Sequence, residues 1–499
     1  MKIRKNPHIY EINLMTWLEE LSLKEGHTIT LDNIPRGEWR YLKSLGMDIV
    51  WLMGMWQRSP YSKERAINEP ALKKEGEYIL SDFSIDDIEG SPYAVYDYIP
   101  DPRFGSKKDL LILKEILEEE DLLLFLDFVP NHTACDHQWI YRYPSRYIIK
   151  EVNDEGLCQE GFFLPVDGLK NKCVAHGKDP YFPPWTDTAQ INYARQETVD
   201  AMTQTILDVT AYCHGLRCDM AMLSIKGIFL KTWSNYLNTK NEAPEFWPYA
   251  IDRLKKIGAP FYLMAEVYWG MENILLDYGF NYVYDKHLYD LMLKGNIEKI
   301  RDHILLPVDQ QENMARFLEN HDEPRAFQAF GPDRIKSAMI MHATLPGMRF
   351  WNHGQLEGRT HRVPVQLRRA PQEIPDNSLR SFGENLLREV NHPVFHEGEF
   401  KVCSTYGWPD NNSHLTLLVY SWRKKDEKRL IIINFSHFSS QGYVKLPEEW
   451  VFTHNNLIIS DPIKNENFKR ATLDVVKEGL YVGLDPGDYH FFNIKEEPK

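Results

Sequence analysis

Residues 214–223 read HGLRCDMAML, a short apolar run interrupted by Arg217 and Asp219. Charged side chains are seldom buried unless they are paired or used. Two residues apart on a strand, they share one face. A structural ion pair accounts for one such strand, so the meaning of this one depends on whether others end the same way.

Three of four further runs do. Residues 46–56 (GMDIVWLMGMW), 121–132 (DLLLFLDFVPNH), 261–269 (FYLMAEVYW) and 314–322 (MARFLENHD) read as buried strands. Helical patterns fall between them. Ser106 is placed to cap a helix, with Asp109 three residues on, and Leu110, Leu113 and Leu117 follow at helical spacing. In residues 196–211, Val199, Met202, Ile206 and Val209 share a face. Strand and helix in alternation imply parallel pairing. Over nearly four hundred residues this predicts a (β/α)8 TIM barrel, an α/β fold. The rival doubly wound sheet lacks a G-x-G-x-x-G turn.

Two regions break the rhythm. Residues 133–195 are rich in Tyr, Pro and Gly and poor in periodicity, so they read as a subdomain inserted after the third strand. Residues 398–499 carry short β-rich runs such as HLTLLVYSW and RLIIINFS, which predict an all-β sandwich. The barrel then takes residues 1–132 and 196–397.

Composition narrows the partners. The chain has 499 residues and a net charge of −14, which argues against nucleic acid and anionic membranes. No apolar stretch is long enough to span a bilayer, and no signal peptide is read at the start. The six cysteines show no C-x-x-C spacing, so free thiols in a reducing, cytoplasmic setting are expected. Oligomeric state is not assigned.

The strand ends suggest the chemistry. Catalytic groups of a barrel sit where its strands end. Here the runs end on Asp127 with Asn131 and His132, on Arg217 and Asp219, on Glu266, and on His321 and Asp322. Four such ends converge on one mouth. Carboxylates in this arrangement suit glycoside hydrolysis, with one acid attacking and another protonating the leaving oxygen. The donor needs a raised pKa and the nucleophile a charge, which an adjacent arginine maintains. No H-E-x-x-H, G-x-S-x-G or P-loop motif supports another chemistry. Trp56 and Trp269 suit core packing and sugar stacking equally.

These residues resemble glycoside hydrolase family 13, the α-amylase family. DFVPNH (127–132), GLRCDMAML (215–223), Glu266 in LMAEVYW and ENHD (319–322) are similar to its four motifs, in its order. The resemblance implies Asp219 as nucleophile, Glu266 as general acid and base, and Asp322 as a ligand of sugar hydroxyls. It implies that Arg217, His132 and His321 line the site. SPYAVYDY resembles a further segment, with Tyr93 as a stacking ring and Asp97 after it, and NHDEPR adds Arg325 as a binding residue. The family's calcium site is not carried over, because Gln190 in TDTAQINY stands where an aspartate is expected, and Met222 and Leu223 replace a Lys-His pair. No metal or cofactor is assigned. The expectation is a retaining hydrolase of α-1,4-linked malto-oligosaccharides or starch-like glucan. A glucanotransferase or α-glucosidase would use the same site. A non-catalytic glycan-binding protein would be marked by loss of one carboxylate, and Asp219, Glu266 and Asp322 are all present.

Overall fold

Eight short strands carry the architecture: β1 (His8–Asn13), β2 (Ile49–Met53), β3 (Leu123–Phe128), β4 (Gly215–Cys218), β5 (Tyr262–Ala265), β6 (Tyr282–Tyr284), β7 (Met314–Phe317) and β8 (Met348–Asn352). They pair in parallel, each with its neighbour in sequence, and β1 pairs with both β2 and β8, closing the barrel. The computed structural model describes residues 2–166, 169, 171–237 and 243–497. Every residue of β2 and β3 is buried, as expected of parallel strands covered on both faces. Gly215 opens β4 because a Cβ there would lie 2.5 Å from the Phe125 ring and 2.7 Å from the Tyr262 carbonyl.

The helices form for the reasons legible in the sequence. The helix Lys107–Glu119 starts at Ser106, whose main-chain N–H donates to Asp109 Oδ2 at 2.7 Å while its hydroxyl accepts from the Asp109 N–H. Leu110, Leu113 and Leu117 are fully buried on its inner face. Each such side chain contributes about 1.5–3 kcal/mol of transfer free energy. The helix Gln196–Val209 buries Val199, Met202, Ile206 and Val209 in the same way.

Two of the eight strands give weak sequence signals. β1 carries the fully buried Glu11 in mid-run, and β6 is only three residues long.

Between β3 and β4 the chain makes its excursion. His132–Ala134 pairs with Thr188–Gln190, and Ile149–Glu151, Lys172–Ala175 and Phe162–Phe163 form a small antiparallel sheet. Cys158 and Cys173 are joined by a disulfide in this segment, while Cys135, Cys213, Cys218 and Cys403 are free. This corrects the expectation of six free thiols. The excursion is irregular, so nothing in the local pattern pairs two cysteines fifteen residues apart. The expectation of a cytoplasmic setting loses this support, since such bonds persist in oxidising compartments.

After the barrel the chain becomes all-β. A six-stranded antiparallel sheet (central strands Leu417–Lys424, Glu427–Asn434 and Tyr489–Glu496) faces a three-stranded one (Thr405–Tyr406, Ser440–Val444 and Leu480–Leu484). Leu417, Val419, Leu430, Ile432, Val482 and Phe492 fill the space between them. The alternate residues Leu418, Tyr420, Trp422, Ile431 and Ile433 point the other way and join the barrel's core. Trp422 Nε1 donates to the Thr344 carbonyl at 2.7 Å, anchoring the sandwich to the barrel. Pro498 and Lys499, at the end of the expected domain, lie outside the described residues.

Candidate active site

Arg217 is the buried centre of the mouth. It lies on β4, fully buried, with Nη1 2.6 Å from Asp219 Oδ1 and Nη2 2.8 Å from Glu266 Oε2. Nε donates to the Tyr284 hydroxyl at 3.3 Å. The guanidinium carbon stands 5.3 Å from the ring centres of Trp51 and Tyr93 and 5.7 Å from that of Tyr284. A buried guanidinium needs such compensation: paired carboxylates, hydrogen bonds and aromatic faces.

Glu266 immediately follows β5. It accepts from the Met220 N–H through Oε2 at 2.7 Å and from the Tyr268 hydroxyl through Oε1 at 2.8 Å. Met220 adopts φ 40°, ψ 45°, a left-handed conformation unusual for a side chain with a Cβ. It follows Asp219 directly, and this turn accompanies the aim of its N–H at Glu266. Strain of this kind clusters at functional sites.

The two carboxyls share one arginine and feel each other. Burial raises Glu266 to about 7, with the charges of Asp219 and Asp322 adding to it and Arg217 opposing. Burial also raises Asp219, against the attraction of Arg217. The pair therefore holds a proton into the neutral range. The shorter contact to Arg217 favours the charge on Asp219 and the proton on Glu266.

Asp322 stands across from them, half-exposed to the cleft. Burial of its surroundings raises its pKa, but the neighbouring His321 outweighs that and brings it to about 2. His321 Nε2 lies 3.1 Å from Asp322 Oδ2 and 2.8 Å from the Tyr93 hydroxyl. Its Nδ1 lies 2.5 Å from Oε1 of Glu11, from β1. Burial disfavours charge on His321, yet Asp322 and Glu11 hold it well above the usual histidine range. The Tyr93 and His321 rings stack at 5.4 Å.

Asp127 supports this layer from β3. It accepts from Trp51 Nε1 at 3.2 Å and from the Gly54 N–H at 2.8 Å, and burial raises it to about 6. His132 is buried against the Trp185 ring and hydrogen-bonds the Tyr93 main chain. Burial lowers it to about 4, so it is neutral.

The structure thus gathers Asp219, Glu266, Asp322, Arg217, His321 and Tyr93, with His132 behind Tyr93. It does not gather Asp97. That residue is exposed and lines a different cavity, with Lys107, Thr133 and His137 beside the helix Gln196–Val209. Its position in an outward-facing strand, paired with Gln57, sets this direction. Arg325 is engaged elsewhere than at the three carboxylates: it pairs with Glu319 at 2.8 Å and donates to the His353 carbonyl at 2.8 Å, lining a small cavity next to His321. Trp56 is core, donating to the Asp127 carbonyl at 2.6 Å, whereas Trp269 is partly exposed and meets Tyr181 edge-on at 4.9 Å. Sequence reading missed Glu11, Trp51, Tyr268 and Tyr284. Only Tyr268 carried a signal, its place two residues after Glu266.

The positions where the family's calcium site would lie are otherwise engaged. Gln190, fully buried, donates through Nε2 to the Asn131 carbonyl at 3.0 Å, to Asn131 Oδ1 at 3.1 Å and to the Ile191 carbonyl at 3.1 Å. A calcium ion would need oxygens of this kind. An amide nitrogen already faces them, so the residues present do not fit calcium at this junction. Among the described residues, no cluster of three His, Cys, Asp or Glu is arranged to hold a metal.

A family model described as the catalytic domain of α-amylase matches residues 37–164. An α-glucosidase of Culex pipiens is 22% identical over 363 residues, 63% of this chain and 57% of the relative. α-Amylase 3 of Dictyoglomus thermophilum is 22% identical over 356 residues, 68% of this chain and 62% of the relative. The match thus spans about three fifths of each curated relative's length. Among solved structures, a maltogenic α-amylase of Thermotoga neapolitana superposes with TM-score 0.68 at 17% identity, covering 98% of both chains. The α-amylase of Geobacillus thermoleovorans, solved with acarbose, gives 0.66 at 16%, covering all of both chains. At these identities the superpositions speak for the fold.

Proposed function

We propose, from the match of residues 37–164 to the α-amylase catalytic-domain model and the four motifs that resemble that family's, that this chain hydrolyses α-glucans, α-1,4-linked malto-oligosaccharides or starch-like chains, with retention of anomeric configuration. The observation that carries the reading is the sharing of Arg217 by Asp219 and Glu266, with Glu266 raised to about 7. It supports a division of labour between two carboxyls that differ in protonation.

Asp219 engages Arg217 through Oδ1, leaving Oδ2 for the anomeric carbon. Glu266 gives its proton to the glycosidic oxygen as the C–O bond breaks, and an ester to Asp219 forms. Glu266, now ionised, takes a proton from water. The water oxygen attacks the same carbon, and the ester breaks to restore Asp219. Two inversions give retention, and two oxygens held on one guanidinium suit the separation of about 5 Å that a retaining pair requires. Asp322, ionised beside His321, accepts hydrogen bonds from ring hydroxyls, and Tyr93 offers its face to the sugar. The family calls for no cofactor beyond calcium, and no step here involves a metal.

The time course of products from maltoheptaose tests this, run for the wild type and Asp219→Asn. Short malto-oligosaccharides from the wild type alone are expected. Products longer than the substrate would move the reading to glucan transfer. No turnover by well-folded wild type would overturn the α-1,4-glucan assignment.

A further inference from the structure

We propose that Glu11, buried on β1, is a positioning residue of the active site: it keeps both ring nitrogens of His321 protonated, and the imidazolium so formed aims the Tyr93 hydroxyl and Asp322 at the sugar. This deepens the function proposed above and rests on it.

Glu11 stands between Tyr10 and Ile12, both buried, and is itself fully buried. A carboxylate leaving water loses several kcal/mol, so it persists in a core only where a partner offsets the loss. Oε1 lies 2.5 Å from Nδ1 of His321, and Oε2 is buried with no hydrogen-bond partner among the described residues. The carboxyl is thus met through the imidazole. With no exposed side-chain surface, Glu11 cannot touch a sugar, so any effect on one passes through His321.

The other ring nitrogen faces a second carboxylate. Nε2 lies 3.1 Å from Asp322 Oδ2 and 2.8 Å from the Tyr93 hydroxyl. A neutral imidazole has one N–H and one lone pair, whereas an imidazolium donates from both nitrogens. Ionised carboxylates only accept, so a lone pair on either nitrogen would be repelled here. The imidazolium satisfies both sides at once. The neighbouring strands supply no further partner for its charge. The Trp51 ring of β2 meets His321 edge-on at 5.6 Å, and Asp127 of β3 feels its charge from a distance. Arg217 of β4 is paired with Asp219 and Glu266, and Glu319, just after β7, with Arg325. Burial works against the charge on His321, and Asp322 and Glu11 outweigh it. Asp322 opens to the cleft, where water screens it, while Glu11 is wholly enclosed. Glu11 is therefore the fixed half of the pair.

The proton reaches the substrate through Tyr93. With Nε2 protonated, the Tyr93 hydroxyl accepts from it, and its own hydrogen remains for an oxygen of the sugar. With Nε2 bare, Tyr93 would donate to the ring instead, and that hydrogen would be turned from the cleft. The bare nitrogen would also repel Asp322, which it now holds. One charge on β1 thus sets the direction of a donor and the place of an acceptor at the sugar.

Glu11→Gln tests this, since it keeps the size and an oxygen for the Nδ1 hydrogen but removes the charge. Nuclear magnetic resonance of histidine labelled with nitrogen-15 reads the ring directly, with the His321 signal identified by its absence from His321→Gln. Both nitrogens are expected to stay protonated through pH 8 in the wild type, and one to lose its proton between pH 6 and 8 in Glu11→Gln. On α-maltosyl fluoride, whose leaving group needs no proton, kcat/KM of Glu11→Gln relative to wild type is expected to fall about tenfold over that range. A role in packing alone would lower the thermal midpoint and leave this ratio flat. A flat ratio in folded Glu11→Gln, or a neutral His321 in the wild type at pH 7, overturns the inference. Asp322→Asn gives an answer without a change on β1: His321 is expected to stay charged through pH 8, and loss of its proton below pH 7 overturns Glu11 as its holder. Failure of the wild type to use the fluoride overturns the α-glucan reading, while the histidine titration still decides what Glu11 does to His321.

Discussion

Gln190 Nε2 faces Asn131 twice, at 3.0 Å from its carbonyl and 3.1 Å from its side-chain oxygen. An uncharged amide thus meets oxygens that a cation would otherwise gather, at the junction between β3 and the inserted segment. The thermal midpoint of the wild type should accordingly stay within about one degree between EDTA and millimolar calcium. Gln190→Asp removes the donor and adds a carboxylate, so its midpoint should fall in EDTA and recover with calcium. A ligand at a hundred times its Kd adds about 2.7 kcal/mol. A rise of several degrees for the wild type in calcium would sink this reading.

Glu266 sets the alkaline side of the activity profile. Its folded-state pKa of about 7 exceeds its ordinary value of 4.5. The value of kcat/KM should therefore decline as pH rises through about 7, as the general acid loses its proton. Stability follows the same proton. The folded form binds it more tightly than the unfolded chain, so this contribution is full below 4.5 and is lost as pH rises through 7. Glu266→Gln should flatten stability across that window. It should also retain more activity on aryl or fluoride donors than on maltoheptaose, because good leaving groups need no proton. Equal losses on both substrates would contradict the assignment.

Asp219 is the expected point of covalent attachment. Asp219→Asn should lower kcat by about 10⁴-fold or more, as removal of a nucleophile does. Without the charge of Asp219 to raise it, Glu266 ionises more readily beside Arg217 in that variant, so the guanidinium keeps a charged partner and the thermal midpoint should change little. Wild type quenched during turnover of a 2-deoxy-2-fluoroglucosyl fluoride should carry a hexosyl adduct on the peptide containing Asp219. An adduct on another residue would overturn the assignment.

How far the sequence anticipates this geometry depends on how local each cause is. Four buried strands, the Ser106–Asp109 cap and the apolar face of Gln196–Val209 follow from periodicity and short-range hydrogen bonding, and the structure contains each of them. The barrel closes through β1, where Glu11 breaks the apolar pattern because its partner, His321, is 310 residues away. Gln190 shows the limit of motif reading. A missing aspartate signals that the expected calcium site is altered, but only the fold shows an amide facing the oxygens. Asp97 follows Tyr93 in the same motif and yet faces outward, because the strand that carries it pairs with the segment after β2.

An acid at the end of a barrel strand need not be catalytic, and Asp285 shows why. It follows β6, buried, with Oδ2 2.9 Å from both His303 Nε2 and Arg316 Nε, while Oδ1 caps the next helix at the Leu288 N–H. Burial raises its pKa, but His303 and Arg316 outweigh that and hold it well below the usual carboxylate range. Its contribution to stability is therefore present above the unfolded value of 3.8 and is lost as pH falls through the folded value below it. Asp285→Asn keeps a cap but leaves Arg316 as an uncompensated buried charge, which should cost about 3–5 kcal/mol in urea unfolding. Adding Arg316→Met should recover part of that loss, since the orphaned charge goes with it. The pH dependence of stability below about 4 should weaken in the single variant. Its kcat/KM on maltoheptaose should stay within a fewfold of wild type under folding conditions, because Asp285 bonds none of the reacting groups. A hundredfold fall in kcat with stability unchanged would instead place Asp285 in the catalytic set.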